Sequence, residues 1–251
     1  MGHTPALEWF DWHELRLAAR LFPRRESAPG TAPRLRPTVL FFHGWQGAQD
    51  ANDVLLAAAL AGDGFACMTF DLAGHGHSGG AAGQFTLADY LDQALSAHDF
   101  LLSSGLAGTG GLCLCGASLG SYLAARLSAL RPVRAMSLRV PANYPDEIVD
   151  AELLGRYVQG PAPRIWREQP RAPADNRALA ALRSFGGPLQ IIAAGRDETI
   201  PWQSVKNFIA AAADTTLDLH VLPEATHVLY ENEAMRAESF RLVRGWLRDL
   251  T

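Results

Sequence analysis

Three side chains of this sequence have the types and settings needed to make a nucleophile. Ser118 stands between two glycines in "GASLG", Asp197 opens the loop "GRDETIP", and His227 lies in "PEATHVLYENE". A serine hydroxyl attacks poorly near neutral pH. It needs a base within hydrogen-bond reach, and an imidazole base needs a carboxylate to hold its tautomer. Together the three could carry out acyl transfer. Taken singly, each has a plainer reading: a helix N-cap serine, a turn or helix-capping aspartate, a loop histidine with no task. Glu198 is the rival acid; Asp197 is preferred because it stands closer to the end of the preceding apolar run.

Short apolar runs must hold these groups in place. "TVLFFHG", "FACMTFD", "GLCLCG", "VRAMSLRV", "PLQIIAAG" and "TLDLHVLP" have the near-continuous apolar character of strands, the inner ones buried on both faces. Residues 7–22 alternate and predict one or two further strands. Helical patterns fall between the runs, at about 51–61, 86–105, 118–130, 201–212 and 231–249. Thr86 is the predicted N-cap of the second, with Asp89 three residues on. Strand alternating with helix defines an α/β fold: one domain over 1–251, with a mostly parallel central sheet flanked by helices. Residues 141–187 break the alternation with prolines, shorter apolar runs and more arginines, and are read as a small cap insertion. Residues 23–37 are read as an exposed proline- and arginine-rich connection. In such a sheet, functional groups gather at the carboxyl ends of the strands. "HGWQG", Ser118, Asp197 and His227 each follow an apolar run there.

Composition narrows the function classes. At 48% hydrophobic and 19% charged, the 251-residue chain can bury a substantial core. With a formal net charge of -4 and no basic patch, nucleic acid is not an expected partner. No run reaches the roughly 18 apolar residues of a membrane span. The start of the sequence lacks the basic and apolar regions of a secretory leader. The three cysteines, Cys67, Cys113 and Cys115, fit a reducing compartment, so a cytoplasmic location is expected. Cys113 and Cys115 would sit about 7 Å apart on one strand face, too far for a disulfide. No further cysteine or histidine cluster completes a metal site, and no cofactor is expected.

The motifs "FFHGWQG", "DLAGHGHSGG", "GASLG", "GRDETIP" and "ATH", in this order, resemble those of the α/β-hydrolases, in the lipase, esterase and serine-aminopeptidase-like branch. The resemblance runs from about residue 15 to 249. It implies Ser118 as nucleophile, His227 as general base and acid, and Asp197 as the orienting carboxylate. It also implies the backbone N–H groups of Trp45 and Leu119 as an oxyanion hole. "DLAGHGHSGG" departs from the related pattern, with Ala73 where arginine is usual, so Asp71, His75 and Ser78 are expected to be structural; His43 is expected to be structural as well. A serine rather than an aspartate at the elbow makes acyl transfer the implied reaction, most commonly hydrolysis of a carboxylic ester. The expected substrate is a small or medium ester, short acyl or aryl, with Tyr144, Tyr157 and Trp166 of the insertion as candidate contacts. Amide or peptide hydrolysis, with Asp146, Glu147 or Arg164 recognising a peptide terminus, is an alternative. So is thioester or carbon–carbon hydrolysis. A hydrolase fold kept as a binding module is the non-enzymatic alternative. Oligomeric state is not legible.

Overall fold

The structure, a computed structural model, describes residues 4–25, 36–49, 52–212 and 215–250. Most of the expected connection at 23–37, and Ala51 at the start of the first helical pattern, lie outside the described residues. Eight strands form one sheet: β1 (Glu8–Trp12), β2 (Leu15–Phe22), β3 (Thr38–Phe42), β4 (Ala66–Phe70), β5 (Leu112–Ala117), β6 (Ala135–Arg139), β7 (Leu189–Ala194) and β8 (Leu217–Leu222). Their order is β1-β2-β4-β3-β5-β6-β7-β8. The first two pairings are antiparallel and the other five parallel.

The apolar runs are explained by cover on both faces. Every residue of β3, β4, β6 and β7 is buried. α1 (Asn52–Gly62) and α8 (Glu233–Asp249) cover one face; α2 (Leu87–Ser103), α3 (Leu119–Ser128), α6 (Arg177–Ser184) and α7 (Trp202–Ala211) cover the other. Cys67, Cys113 and Cys115 are free thiols in the core under α1 and α8, where burial pushes the last two up to about 12. α2 starts as its sequence predicts. Asp89 N–H donates to Thr86 Oγ1 at 3.1 Å, and Thr86 N–H donates to Asp89 Oδ2 at 2.8 Å, which closes a capping box. No helix among the described residues is long and apolar enough to cross a membrane.

The expected interruption at 141–187 divides in two. Asn176 caps α6, whose Ala178, Leu179, Ala181 and Leu182 are buried against α3 and α7. α6 is therefore part of the flanking layer, the crossover helix between β6 and β7, rather than part of an insertion. The earlier portion holds only the short helices α4 (Leu154–Tyr157) and α5 (Ala162–Arg167) and two single 3-10 turns. It is bonded to the loop that leads into α2: Leu154 N–H donates to Phe85 O at 3.0 Å and Ala88 N–H to Val149 O at 3.0 Å. Gly155 and Gly83 pack backbone to backbone, and a Cβ on Gly155 would collide with the Gly83 Cα.

Candidate active site

Ser118 sits where β5 turns abruptly into α3. Its backbone is at φ 52°, ψ -113°, a conformation that costs energy for any residue with a Cβ. The turn persists because its surroundings determine it. Ser118 N–H donates to Arg139 O at 2.9 Å, and the Ser121 hydroxyl reaches both Gly116 O at 3.0 Å and Arg139 O at 3.1 Å. The flanking glycines are required by close approach: a Cβ on Gly120 would strike the Phe42 carbonyl of β3, and one on Gly116 would strike the Gly120 carbonyl.

His227 and Asp197 reach this turn from the loops after β8 and β7. His227 Nε2 is 3.1 Å from Ser118 Oγ, and Nδ1 is 2.8 Å from Asp197 Oδ2. A proton on Nδ1 donates to the carboxylate and leaves Nε2 free to accept from the hydroxyl. Asp197 Oδ1 accepts the N–H groups of Thr199 at 2.9 Å and Ile200 at 2.7 Å, so its carboxylate is fixed from both sides. The Asp197 side chain is 7% exposed and that of His227 21%. Glu198 is exposed, and its backbone carbonyl accepts from Arg164 Nη1 at 2.9 Å.

The loop after β3 lies over the same turn. A Cβ on Gly44 would stand 3.2 Å from Ser118 Cβ, so this backbone faces the serine directly. Two histidines hold the loop. His43 Nδ1 pairs with Gly44 O at 2.8 Å while its Nε2 accepts Leu72 N–H at 3.0 Å. His75 Nδ1 pairs with Ala73 O at 3.0 Å while its Nε2 accepts Gln46 N–H at 3.3 Å. Burial, with the neighbouring His43, pushes His75 down to about 4, so the ring stays neutral and keeps that lone pair. Asp71 accepts from Gln49 N–H at 2.7 Å and His77 N–H at 2.9 Å, and the Ser78 hydroxyl donates to Asp71 O at 2.6 Å. No carbonyl among the described residues accepts the Trp45 N–H. Leu119 is the first residue of α3, where an N–H has no intrahelical acceptor.

A cleft of about 400 Å³ opens beside this loop, between Trp45 and Gln46, residues 82–84, and residues 153–159. Tyr144, Tyr157 and Trp166 are not among its walls. Tyr144 is buried against Tyr122 and under Arg167; Tyr157 is buried against Tyr144; Trp166 stacks with Arg171. Their rings hold the segment together, which is why they do not face the cleft. Asp146 is engaged with Arg177 N–H at 2.9 Å, and Arg164 with Glu168 at 2.9 Å. No group of three or more histidine, cysteine or acidic side chains among the described residues is arranged to hold a metal ion.

A buried ion pair lies below the site. Arg139, the last residue of β6, is completely buried. Its Nη2 donates to Asp53 Oδ1 of α1 at 2.8 Å, and its Nη1 donates to the Tyr230 hydroxyl. Burial opposes the charge, but Asp53 more than offsets it and raises the guanidinium's pKa. A charged residue closing the apolar run "VRAMSLRV" is the only sequence signal for it.

This sheet order and these strand-end loops define an α/β-hydrolase. Residues 33–158, half of the chain, match the family model described as serine aminopeptidase, S33, and the chain belongs to that family. The match ends before Asp197 and His227. Two uncharacterised proteins of Mycobacterium tuberculosis, from strains CDC 1551 and H37Rv, are each 27% identical over 201 residues, covering 80% of this chain. The aligned part spans 64% of the length of those relatives. Among solved structures, Est1E of Butyrivibrio proteoclasticus with bound ferulic acid superposes with a TM-score of 0.71 at 17% identity, over 97% of this chain and 98% of that one. Mouse alpha/beta hydrolase domain-containing protein 10 gives 0.68 at 17%, over 98% and 100%. A serine hydrolase homologue from Coxiella burnetii gives 0.66 at 15%, over the whole of both chains. At these identities the likeness is one of fold.

Proposed function

We propose that the protein hydrolyses a small or medium carboxylic ester, short acyl or aryl, through an acyl-enzyme. The observation that carries this reading is His227 bridging Ser118 Oγ and Asp197 Oδ2 with its two ring nitrogens. Ser118 Oγ attacks the ester carbonyl carbon as its proton passes to His227 Nε2. The carbonyl oxygen becomes an oxyanion, stabilised by the N–H groups of Trp45 and Leu119. The intermediate collapses, the bond to the alcohol oxygen breaks, and His227 returns the proton to the departing alcohol. Water, deprotonated by His227, then attacks the acyl carbon and releases the acid and the Ser118 hydroxyl. Asp197 keeps the imidazole in the tautomer that accepts this proton and stabilises the imidazolium. A cleft of about 400 Å³ suits a small ligand. The ferulic acid bound by Est1E favours an aryl group on one side of the ester.

The family description also favours a second reading, in which the same groups cleave an amide or release an amino-terminal residue. Turnover of aminoacyl p-nitroanilides against p-nitrophenyl esters separates the two. The first test is labelling with a fluorophosphonate probe, read by intact mass. One adduct is expected on the wild type and none on Ser118→Ala, with His227→Ala labelled far more slowly. A folded wild type that takes no adduct would end the esterase and amidase readings together and favour a binding module.

A further inference from the structure

We infer that the substrate carries a carboxylate and that Arg156 receives it in the cleft beside Trp45. The inference rests on the hydrolase reading above and names the substrate class of that site. The polar residues that line the cleft include Gln46, Gln84, Gln159 and Arg156, and no acidic residue lines it. Two other arginines of this segment are bonded to protein oxygens and a third is stacked on a ring. Arg164 pairs with Glu168, Arg167 donates to Asn143 O at 2.9 Å, and Arg171 lies over the Trp166 ring. Arg156 is exposed at the cleft and has no acidic partner among the described residues.

Its backbone, by contrast, is fixed. Leu154, Gly155 and Tyr157 around it are buried, Leu154 N–H is bonded to Phe85 O, and Gly155 is packed on Gly83. With the backbone fixed, only the Arg156 side chain has to be ordered when an anion arrives. A guanidinium fork matches the two oxygens of a carboxylate, and glutamine amides donate to the same oxygens. The same wall disfavours a substrate with a free ammonium group, which finds no carboxylate there.

The test uses two matched pairs of esters. Mono-p-nitrophenyl adipate beside p-nitrophenyl heptanoate puts the charge on the acyl side. Acetoxybenzoate beside its methyl ester puts it on the alcohol side. For one pair at least, wild-type kcat/KM for the anionic member is expected to exceed that of the neutral member by about 5-fold, a preference that rising salt erodes. The ratio is expected to fall toward one in Arg156→Gln and to invert in Arg156→Glu, while Arg164→Gln keeps the wild-type ratio. Equal or neutral-favouring ratios in both pairs, or ratios unmoved by the Arg156 variants, would overturn the inference. Calorimetry of monomethyl adipate and of acetoxybenzoate binding to Ser118→Ala decides the matter even if Ser118 proves inert to labelling. Binding of either anion that Arg156→Glu weakens supports the anion site, and binding of both that is absent or indifferent to the variant sinks it.

Discussion

Arg139 and Asp53 form an ion pair sealed from solvent, with side chains 0% and 8% exposed and 2.8 Å between Nη2 and Oδ1. The pair connects three pieces of the site. The Arg139 carbonyl holds the Ser118 turn, Asp53 lies in the first turn of the helix that follows the Trp45 loop, and Tyr230 follows His227 by three residues. Arg139→Met strands a buried carboxylate and should lower the urea-derived unfolding free energy by about 3–5 kcal/mol. Arg139→Met with Asp53→Leu removes both charges and should lose markedly less. A single variant within about 1 kcal/mol of wild type would refute the claim that the pair is desolvated.

The choice between the two neighbouring acids can be tested by turnover. Asp197→Asn keeps the shape of the side chain but favours the wrong imidazole tautomer, and should reduce kcat by about 10⁴-fold. Glu198→Gln alters an exposed group and should leave kcat within about twofold. The reverse order of effects would reassign the carboxylate.

The glycines predict a graded series. Gly120→Ala drives a methyl into the Phe42 carbonyl, which is backbone and cannot swing away. Destabilisation on the order of 1–3 kcal/mol or more is expected, seen as a lower thermal midpoint. Gly44→Ala meets the Ser118 Cβ at 3.2 Å, the Ala117 carbonyl at 3.4 Å and the Ser118 Oγ at 3.9 Å. It should retain most of its stability yet label more slowly with fluorophosphonate, because the intruding methyl crowds the nucleophile. If both variants melt together, the loop over Ser118 is a structural contact and nothing more.

His75 predicts a pH dependence. Its folded pKa of about 4 lies below the ordinary histidine value of 6.5, so between these values the unfolded chain takes up a proton that the folded one refuses. The contribution to stability is therefore complete above about pH 6.5, is lost as the pH falls toward 4, and changes no further below that. His75→Gln, neutral throughout, should flatten the difference between unfolding midpoints at pH 7 and pH 4.5. Identical pH profiles for the two proteins would contradict the assignment of a buried neutral ring.

Strand-end logic makes much of this arrangement legible in the sequence. Ser118, Asp197 and His227 each follow an apolar run, and parallel strands must deliver their carboxyl ends to one rim of the sheet. Thr86 and Asp89 announce the start of α2 because a capping box is local. What is not legible depends on contacts between distant segments. Arg139 and Asp53 are 86 residues apart, and neither residue's surroundings name the other. The cleft exists because residues 82–84 meet residues 153–159 across a pair of glycines. Tyr144, Tyr157 and Trp166 look like pocket aromatics by type, yet their rings are engaged with Tyr122, Arg167 and Arg171. α6 is hidden by the proline- and arginine-rich stretch before it, although its own apolar spacing is that of a core-facing helix.

The position of β8 has a consequence for how this molecule ages under heat. Ser118 follows β5, in the middle of the sheet, while His227 follows β8, its outermost strand, where Leu219 and Val221 are 40% and 42% exposed. An outer strand with one neighbour frays more readily than one held on both sides. Loosening of β8 would carry the imidazole from the hydroxyl, while the Ser118 turn keeps its contacts with β3, β5 and β6. The margin of the sheet is thus expected to act as a fuse: fluorophosphonate labelling should fall on warming before the central strands melt, and return on cooling.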